Sequence, residues 1–385
     1  MSSKKAYITG ASLWCNLGKT PNEITRTVHS LNAQNYETFL QEHFAQKPYY
    51  HLLESFESEE KKLYACIDYV VHEAIQKAGL NEEEQAELAI FIGSTAMGIS
   101  LNEESYTRYS LSKEGKAFEH IGYGYLGTYL ETLTHSQHKA LLFSTACTSS
   151  VNALAYASRM IEQGVISKAL VLGIELFNQT TFNGFSSLML LSQSKMYRPF
   201  DEKSDGIILG EACSALLLES KPRTKEDFYY KGSKNICDIY SETTSNPSGE
   251  PIFKTMDGAL KAAHLDLKAI DLIKAHATGS ENNNTSEANA LTLLFEKYAT
   301  HPPVTALKPF IGHTLGASGC NEIALMLLCA KEGFLPHTLG FEKGTKEASF
   351  TPMQEPFTCE DIPLTILFNF VAFGGNTTSL ILARE

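Results

Sequence analysis

Three side chains able to act as nucleophiles or acid–base groups stand among unusually small neighbours: Cys147 in STACTSS, His276 in HATGS and His313 in IGHTLGASG. A helix over 148–163 would put the thiol at its N-terminus, where unpaired N–H groups and the dipole lower a thiol pKa. That is the environment of an activated nucleophile, and the small neighbours leave room for a substrate. His313 also opens a helical pattern, and the same dipole disfavours an imidazolium. Two neutral imidazoles near one sulfur suit the stabilisation of negative charge on an enolate oxygen. Lys308 precedes His313 by five residues and Glu322 follows it by nine. As a buried pair they would fix the histidine loop; as a surface pair they would contribute little. The turn Phe373-Gly374-Gly375 could offer a backbone N–H beside that of Cys147, making an oxyanion hole. No GxxxxGK follows it, which argues against a nucleotide loop. No third ligand has suitable spacing, so no metal site is expected.

The elements that must carry these residues alternate in type. Residues 5–10, 139–146 and 168–174, with ELAIFIGST near 90, read as strands; 58–80 has helical apolar spacing stopped by Gly79. In the second half, 255–264, 285–298 and 314–332 read as helices, and 271–275 and 304–307 as strands. The segments 364–370 and 379–383 read as a final hairpin-like pair, and the polar stretch 241–251 as a loop or linker. Strands alternating with helices imply a layered α/β fold. KALLFSTA leads through Cys147 to a helix closed by Gly164, and VTALKPFIG leads through His313 to a helix closed by Gly333. Both helices are apolar nearly all round, the pattern of a duplicated domain with two central buried helices.

Composition excludes several classes. The 385 residues carry 32 Lys and Arg against 44 Asp and Glu, a formal charge of −12, which disfavours nucleic acid as a partner. No apolar run approaches the ~20 residues of a membrane span. The start, MSSKKAYITGAS, lacks the apolar core of a signal peptide. Eight cysteines without a CxxC pair read as reduced thiols in the cytoplasm.

The ordered motifs YITGASLWCNLG, STACTSS, RPFDEKSDGIILGEA, HATGS, KPFIGHTLGASG and AFGGNTTSLIL resemble those of the β-ketoacyl-[acyl-carrier-protein] synthases, condensing enzymes of the thiolase fold. The resemblance implies a thiolase-like duplicated α-β-α-β-α five-layer fold, with an N-terminal half over 1–235 and a C-terminal half over 236–385. It implies a Cys147–His276–His313 triad, a supporting Lys308–Glu322 pair, and oxyanion N–H groups from Cys147 and Phe373. Phe373 also matches a gating aromatic and Phe185 a pocket-lining one, while Thr278 and Ser280 match positions lining a pantetheine arm. The implied reaction is decarboxylative Claisen condensation of a Cys-bound acyl chain with malonyl-carrier protein. No diffusible cofactor is implied, since substrates arrive on an acyl carrier protein.

The sequence departs from the family pattern at Ala277, Asn284, Val371 and Ala372, and runs short between Ser192 and Tyr197. These changes favour a specialised polyketide or aryl-polyene pathway over housekeeping fatty-acid synthesis. They also keep open a second reading: a chain-length-factor-like partner subunit with little elongating activity, although such factors typically lack the nucleophilic Cys. A homodimer or heterodimer through the strand before Cys147 is expected, with carrier docking at Lys195–Arg198 or Lys221–Lys225.

Overall fold

A computed structural model describes residues 4–44, 48–96, 98–120, 122–360 and 362–385. Ten strands build the principal sheet. The first five are β1 (Tyr7–Trp14), β2 (Ala89–Gly93), β3 (Leu141–Phe143), β4 (Lys168–Glu175) and β5 (Ala212–Glu219). The second five are β6 (Phe228–Cys237), β7 (Leu272–Lys274), β8 (Val304–Thr305), β9 (Leu364–Val371) and β10 (Asn376–Arg384).

Their spatial order is β3-β2-β4-β5-β1 in one half and β8-β7-β9-β10-β6 in the other. Each strand therefore has a counterpart five places later in the chain. The pairing directions also match: the first two contacts of each half are parallel and the last two antiparallel. The halves meet where β1 pairs with β6 at Tyr7–Tyr229 and Ile8–Phe228. This is the duplicated α/β architecture expected from the sequence. The expected junction at 235/236 falls inside β6, which pairs along most of its length with β10.

Five principal helices complete the layers: α1 (Glu59–Ala78), α2 (Ser149–Glu162), α3 (Glu250–Ala262), α4 (Glu281–Tyr298) and α5 (Ser318–Lys331). Helix α1 covers β1 and β5 on one outer side, and α3, with α4 packed on it, covers β6 and β10 on the other. Helices α2 and α5 lie together between the halves, in the core cluster that joins both. Every residue of α5 from Ser318 to Ala330 is buried, whereas α2 leaves Tyr156 exposed. The two cross closely because Gly319 has no side chain: a Cβ there would lie 2.3 Å from the Val151 nitrogen.

Local sequence explains the ends of these helices. Ser58 caps the Lys61 N–H of α1, and Gly79 stops it in the left-handed region at φ 65°. Helix α3 begins at Glu250, earlier than apolar spacing suggests, because left-handed Gly249 and Pro251 set its first turn. Ser280 caps α4 through the Asn283 N–H. Strand β5 gave no periodic signal because all eight of its residues are buried, which removes the polar alternation. Helices Ile99–Ser112, Gly124–Leu133 and Gln179–Ser187 were also absent from the sequence reading. Among the described residues, no helix is long and apolar enough to cross a membrane.

Candidate active site

Cys147 lies at the junction of β3 and α2. The chain turns there through left-handed Ala146 at φ 50°, and a lattice of small polar side chains holds the bend. The Thr148 hydroxyl donates to the Thr145 carbonyl at 2.7 Å, and Ser149 Oγ to the Ala146 carbonyl at 2.6 Å. The short side chains of STACTSS thus satisfy their own turn while leaving one face clear.

His276 follows β7 and His313 precedes α5, so the duplicated topology delivers both to the same end of the molecule as Cys147. All three line one cavity of about 290 Å³, together with Phe185, Thr278, Ser280 and Phe373. The imidazoles meet edge to face with centroids 5.3 Å apart. Lys308 and Glu322 stand behind them, fully buried. Every site residue expected from the sequence is therefore at this cavity or in its supporting layer.

The supporting layer is larger than the sequence suggested. Glu322 accepts from Lys308 Nζ at 2.7 Å and from Lys274 Nζ at 2.6 Å, so one carboxylate joins two ammonium groups. Lys274 also lies 3.5 Å from the centre of the Phe370 ring. Burial pulls its pKa down to about 8, against the opposing pull of Glu322. A second buried carboxylate, Glu287, accepts the His276 and Ala277 N–H groups, each at 2.7 Å, and the Asn369 amide. These bonds hold the HATGS turn, including Ala277 in the left-handed region at φ 50°. The only sequence signal for Lys274 was a lysine inside an otherwise apolar strand, DLIKA; Glu287 sat unremarked within a helical pattern.

These contacts fix the tautomer of His276 and the orientation of His313. An ammonium can only donate. Lys308 Nζ lies 3.2 Å from His276 Nδ1 and also donates to the His276 carbonyl. Nδ1 of His276 is therefore an acceptor, and its hydrogen sits on Nε2. At His313, Asn321 Nδ2 donates to Thr314 Oγ1 and Thr314 Oγ1 to Ser318 Oγ, which lies 3.1 Å from Nδ1. A hydroxyl can donate or accept, so this contact orients the His313 ring and is compatible with a hydrogen on Nε2. Burial first, then the Lys308 charge, holds both imidazoles well below the usual pKa of 6.5.

The thiol departs from expectation. Burial pushes the Cys147 pKa up to about 12, overriding the nearby Lys308 charge and the N–H groups of Phe373 and of Cys147 itself. The helix end does not win because the sulfur is almost wholly removed from water. Those same two N–H groups approach the sulfur, which sets them beside the place where the carbonyl oxygen of a Cys147 thioester would lie. The Phe373 turn is fixed by Gly375, at φ 77°, where a Cβ would fall 1.7 Å from the Asp238 carbonyl oxygen. Phe373 stacks on Phe185 with centroids 5.6 Å apart.

Two sequence models of known families match. The model described as the β-ketoacyl synthase N-terminal domain covers residues 22–223, and that of the C-terminal domain covers 229–342. The chain belongs to the β-ketoacyl synthase family. A mitochondrial 3-oxoacyl-[acyl-carrier-protein] synthase of Schizosaccharomyces pombe is 32% identical over 260 residues, which is 62% of this chain and 59% of that one. The chain spans about three fifths of the length of the curated relatives it matches.

Among solved structures, a type II polyketide ketosynthase in complex with its acyl-carrier protein superposes with a TM-score of 0.85 at 19% identity, covering 100% of both chains. A ketosynthase in complex with its chain length factor from Xenorhabdus doucetiae gives 0.77 at 22% identity, covering 99% of this chain and 98% of that one. These likenesses establish for this β-ketoacyl synthase family member the fold that its strand order had indicated.

The departures from the family pattern have local explanations. Asn284 accepts the Phe200 N–H and donates to Ser204 Oγ, tying α4 to the loop before the cavity. Val371 and Ala372 are buried in the cavity wall. The polar stretch after residue 240 is a loop in which Thr243, Thr244 and Ser245 form part of that wall.

Proposed function

We propose that this chain is an elongating β-ketoacyl synthase that condenses a Cys147-bound acyl group with a malonyl group on an acyl carrier protein. One observation carries the reading: two imidazoles held neutral, that of His276 with its hydrogen on Nε2, share a cavity with a thiol that two backbone N–H groups approach.

The thiol of Cys147 attacks the thioester of the incoming acyl carrier, and the acyl group passes to sulfur. Its proton leaves on the carrier's thiol, so the step needs no net proton transfer despite the raised pKa. A malonyl thioester then enters, and its carbonyl oxygen accepts hydrogen bonds from His276 Nε2 and His313 Nε2. As the bond to the carboxylate breaks and carbon dioxide departs, the electron pair moves into an enolate whose oxygen these donors stabilise. The enolate carbon attacks the Cys147 thioester. The tetrahedral oxyanion rests on the N–H groups of Cys147 and Phe373, then collapses and expels sulfur, which takes up one proton. Lys308, Glu322 and Lys274 act as positioning residues, and Thr278 and Ser280 receive the pantetheine arm.

The carrier is proposed to dock at Lys195–Arg198. Arg198 bonds Ser194, which is held by the cavity-lining Asp205, so this segment borders the mouth. The alternative segment, Lys221–Lys225, follows β5. Eight residues at about 3.3 Å each put it roughly 25 Å along the sheet from the cavity, and its Arg223 is already paired with Glu219 and Glu84.

Edge strand β3 exposes Leu141 and Leu142, which supports pairing with a second ketosynthase-like subunit, identical or not. A cytoplasmic setting and a fatty-acid, polyketide or aryl-polyene pathway complete the proposal. Incubation with hexanoyl- and malonyl-carrier proteins tests it: a β-ketooctanoyl product is expected, and its absence under all carrier pairings would overturn the reading.

A further inference from the structure

Asn283 presents an unusual accounting problem. The residue is only 5% exposed, yet its Nδ2 is a buried donor without an acceptor in the protein. Buried amide donors are rarely left unpaired, because each such group forfeits its hydration. The other end of the same amide is fully employed: Oδ1 accepts the Thr278 N–H at 2.8 Å and faces the Thr278 hydroxyl at 3.2 Å. Since a backbone N–H must meet an oxygen, these bonds fix which way the amide points.

Asn283 lines the cavity that holds Cys147, His276 and His313. Its own backbone N–H is bound to Ser280 Oγ, so the first turn of α4 holds the side chain rigidly in place. The neighbouring amides have other duties. Asn282 exchanges hydrogen bonds with the backbone of Ser245, and Asn284 is committed to Phe200 and Ser204. Of the three amide nitrogens only that of Asn283 is buried with no acceptor, and it stands beside the threonine and serine assigned above to the carrier's arm.

Resting on that functional reading, we infer that Asn283 is a positioning residue whose Nδ2 donates to an amide carbonyl of the pantetheine arm. The arm is rich in such acceptors, and a donor at a fixed place beside Thr278 sets how deeply the thioester enters. An arm held in register brings its carbonyl to the two imidazoles.

The test uses S-methylpantetheine, an arm without a reactive thiol, whose binding is followed by ligand-observed NMR and by protection of Cys147 from iodoacetamide. Asn283→Asp keeps the acceptor for Thr278 and removes the donor, and Asn283→Ser serves if the first variant does not fold. Wild type should bind, and the variants should bind about tenfold more weakly. Their Cys147 alkylation rate without ligand should be unchanged, while the thermal midpoint falls modestly, because Asp buries a carboxylate and Ser removes the acceptor of the Thr278 N–H. Equal affinity in wild type and a folded variant would overturn the assignment, as would failure of wild type to bind the arm. Arm binding that survives without acylation of Cys147 by carrier-bound substrates would instead count against the condensing reaction.

Discussion

Lys308 Nζ lies 3.2 Å from His276 Nδ1, and this contact decides how the histidine can act. It makes Nδ1 an acceptor and leaves Nε2–H to face the cavity, while the positive charge opposes protonation of the ring. The same ammonium is held by Glu322, so one buried ion pair sets the tautomer and orientation of a ring that burial, aided by that charge, keeps neutral.

Replacing Lys308 with Met should therefore impair decarboxylation more than acyl loading. Loss of one preorganised donor's alignment is worth about 10²- to 10³-fold in rate. Single-turnover release of carbon dioxide from malonyl-carrier protein should fall by that order, while Cys147 still accepts an acyl group. Equal losses in both steps would show that Lys308 acts on the fold and not through His276.

Glu322→Gln should be severely destabilising. It leaves the buried Lys274 and Lys308 ammonium groups facing each other without a carboxylate between them. Removing one partner from a buried pair costs about 3–5 kcal/mol. A urea midpoint close to wild type would refute this view, and a second change, Lys274→Met, should recover part of the loss.

The histidines make a pH prediction. Their folded pKa lies well below the ordinary 6.5, so the unfolded chain binds more protons than the folded one in mildly acidic solution. Their contribution to stability is complete above that value and is lost as pH falls below it. Decarboxylation, in contrast, should stay level from about pH 8 to about pH 6, because both imidazoles remain neutral. A titration of the rate with a midpoint near 6.5 would contradict the lowered imidazole pKa values.

Cys147 makes another. With burial pushing its pKa up to about 12, alkylation by iodoacetamide should rise roughly tenfold per pH unit through the range 7–9. A plateau below pH 8 would mean that the helix end and Lys308 outweigh desolvation.

The sequence reading reached the site further than it reached the fold's interior. Cys147, His276 and His313 stood out because each sits in a run of small residues, and that composition reflects a real constraint: turns such as 145–149 must be satisfied by their own short side chains. Lys274 and Glu287 were hidden because a buried charge leaves no local pattern; its partner comes from a distant element, as Glu322 does for Lys274. Strand β5 escaped for a related reason, since burial on both faces erases alternation. The thiol's pKa was read with the wrong sign because chain position reveals the helix end but not the depth of burial.

The central claim is tested most directly by intact mass measurement of the protein after incubation with an acyl-carrier protein, beside Cys147→Ala, followed by malonyl-carrier protein. The account predicts an acyl adduct that requires Cys147 and disappears on malonyl addition as a carrier-bound chain two carbons longer is formed. An adduct that malonyl-carrier protein never discharges, or no adduct at all, would contradict it. Restoration of elongation by a cognate synthase would then assign this chain the role of a partner subunit.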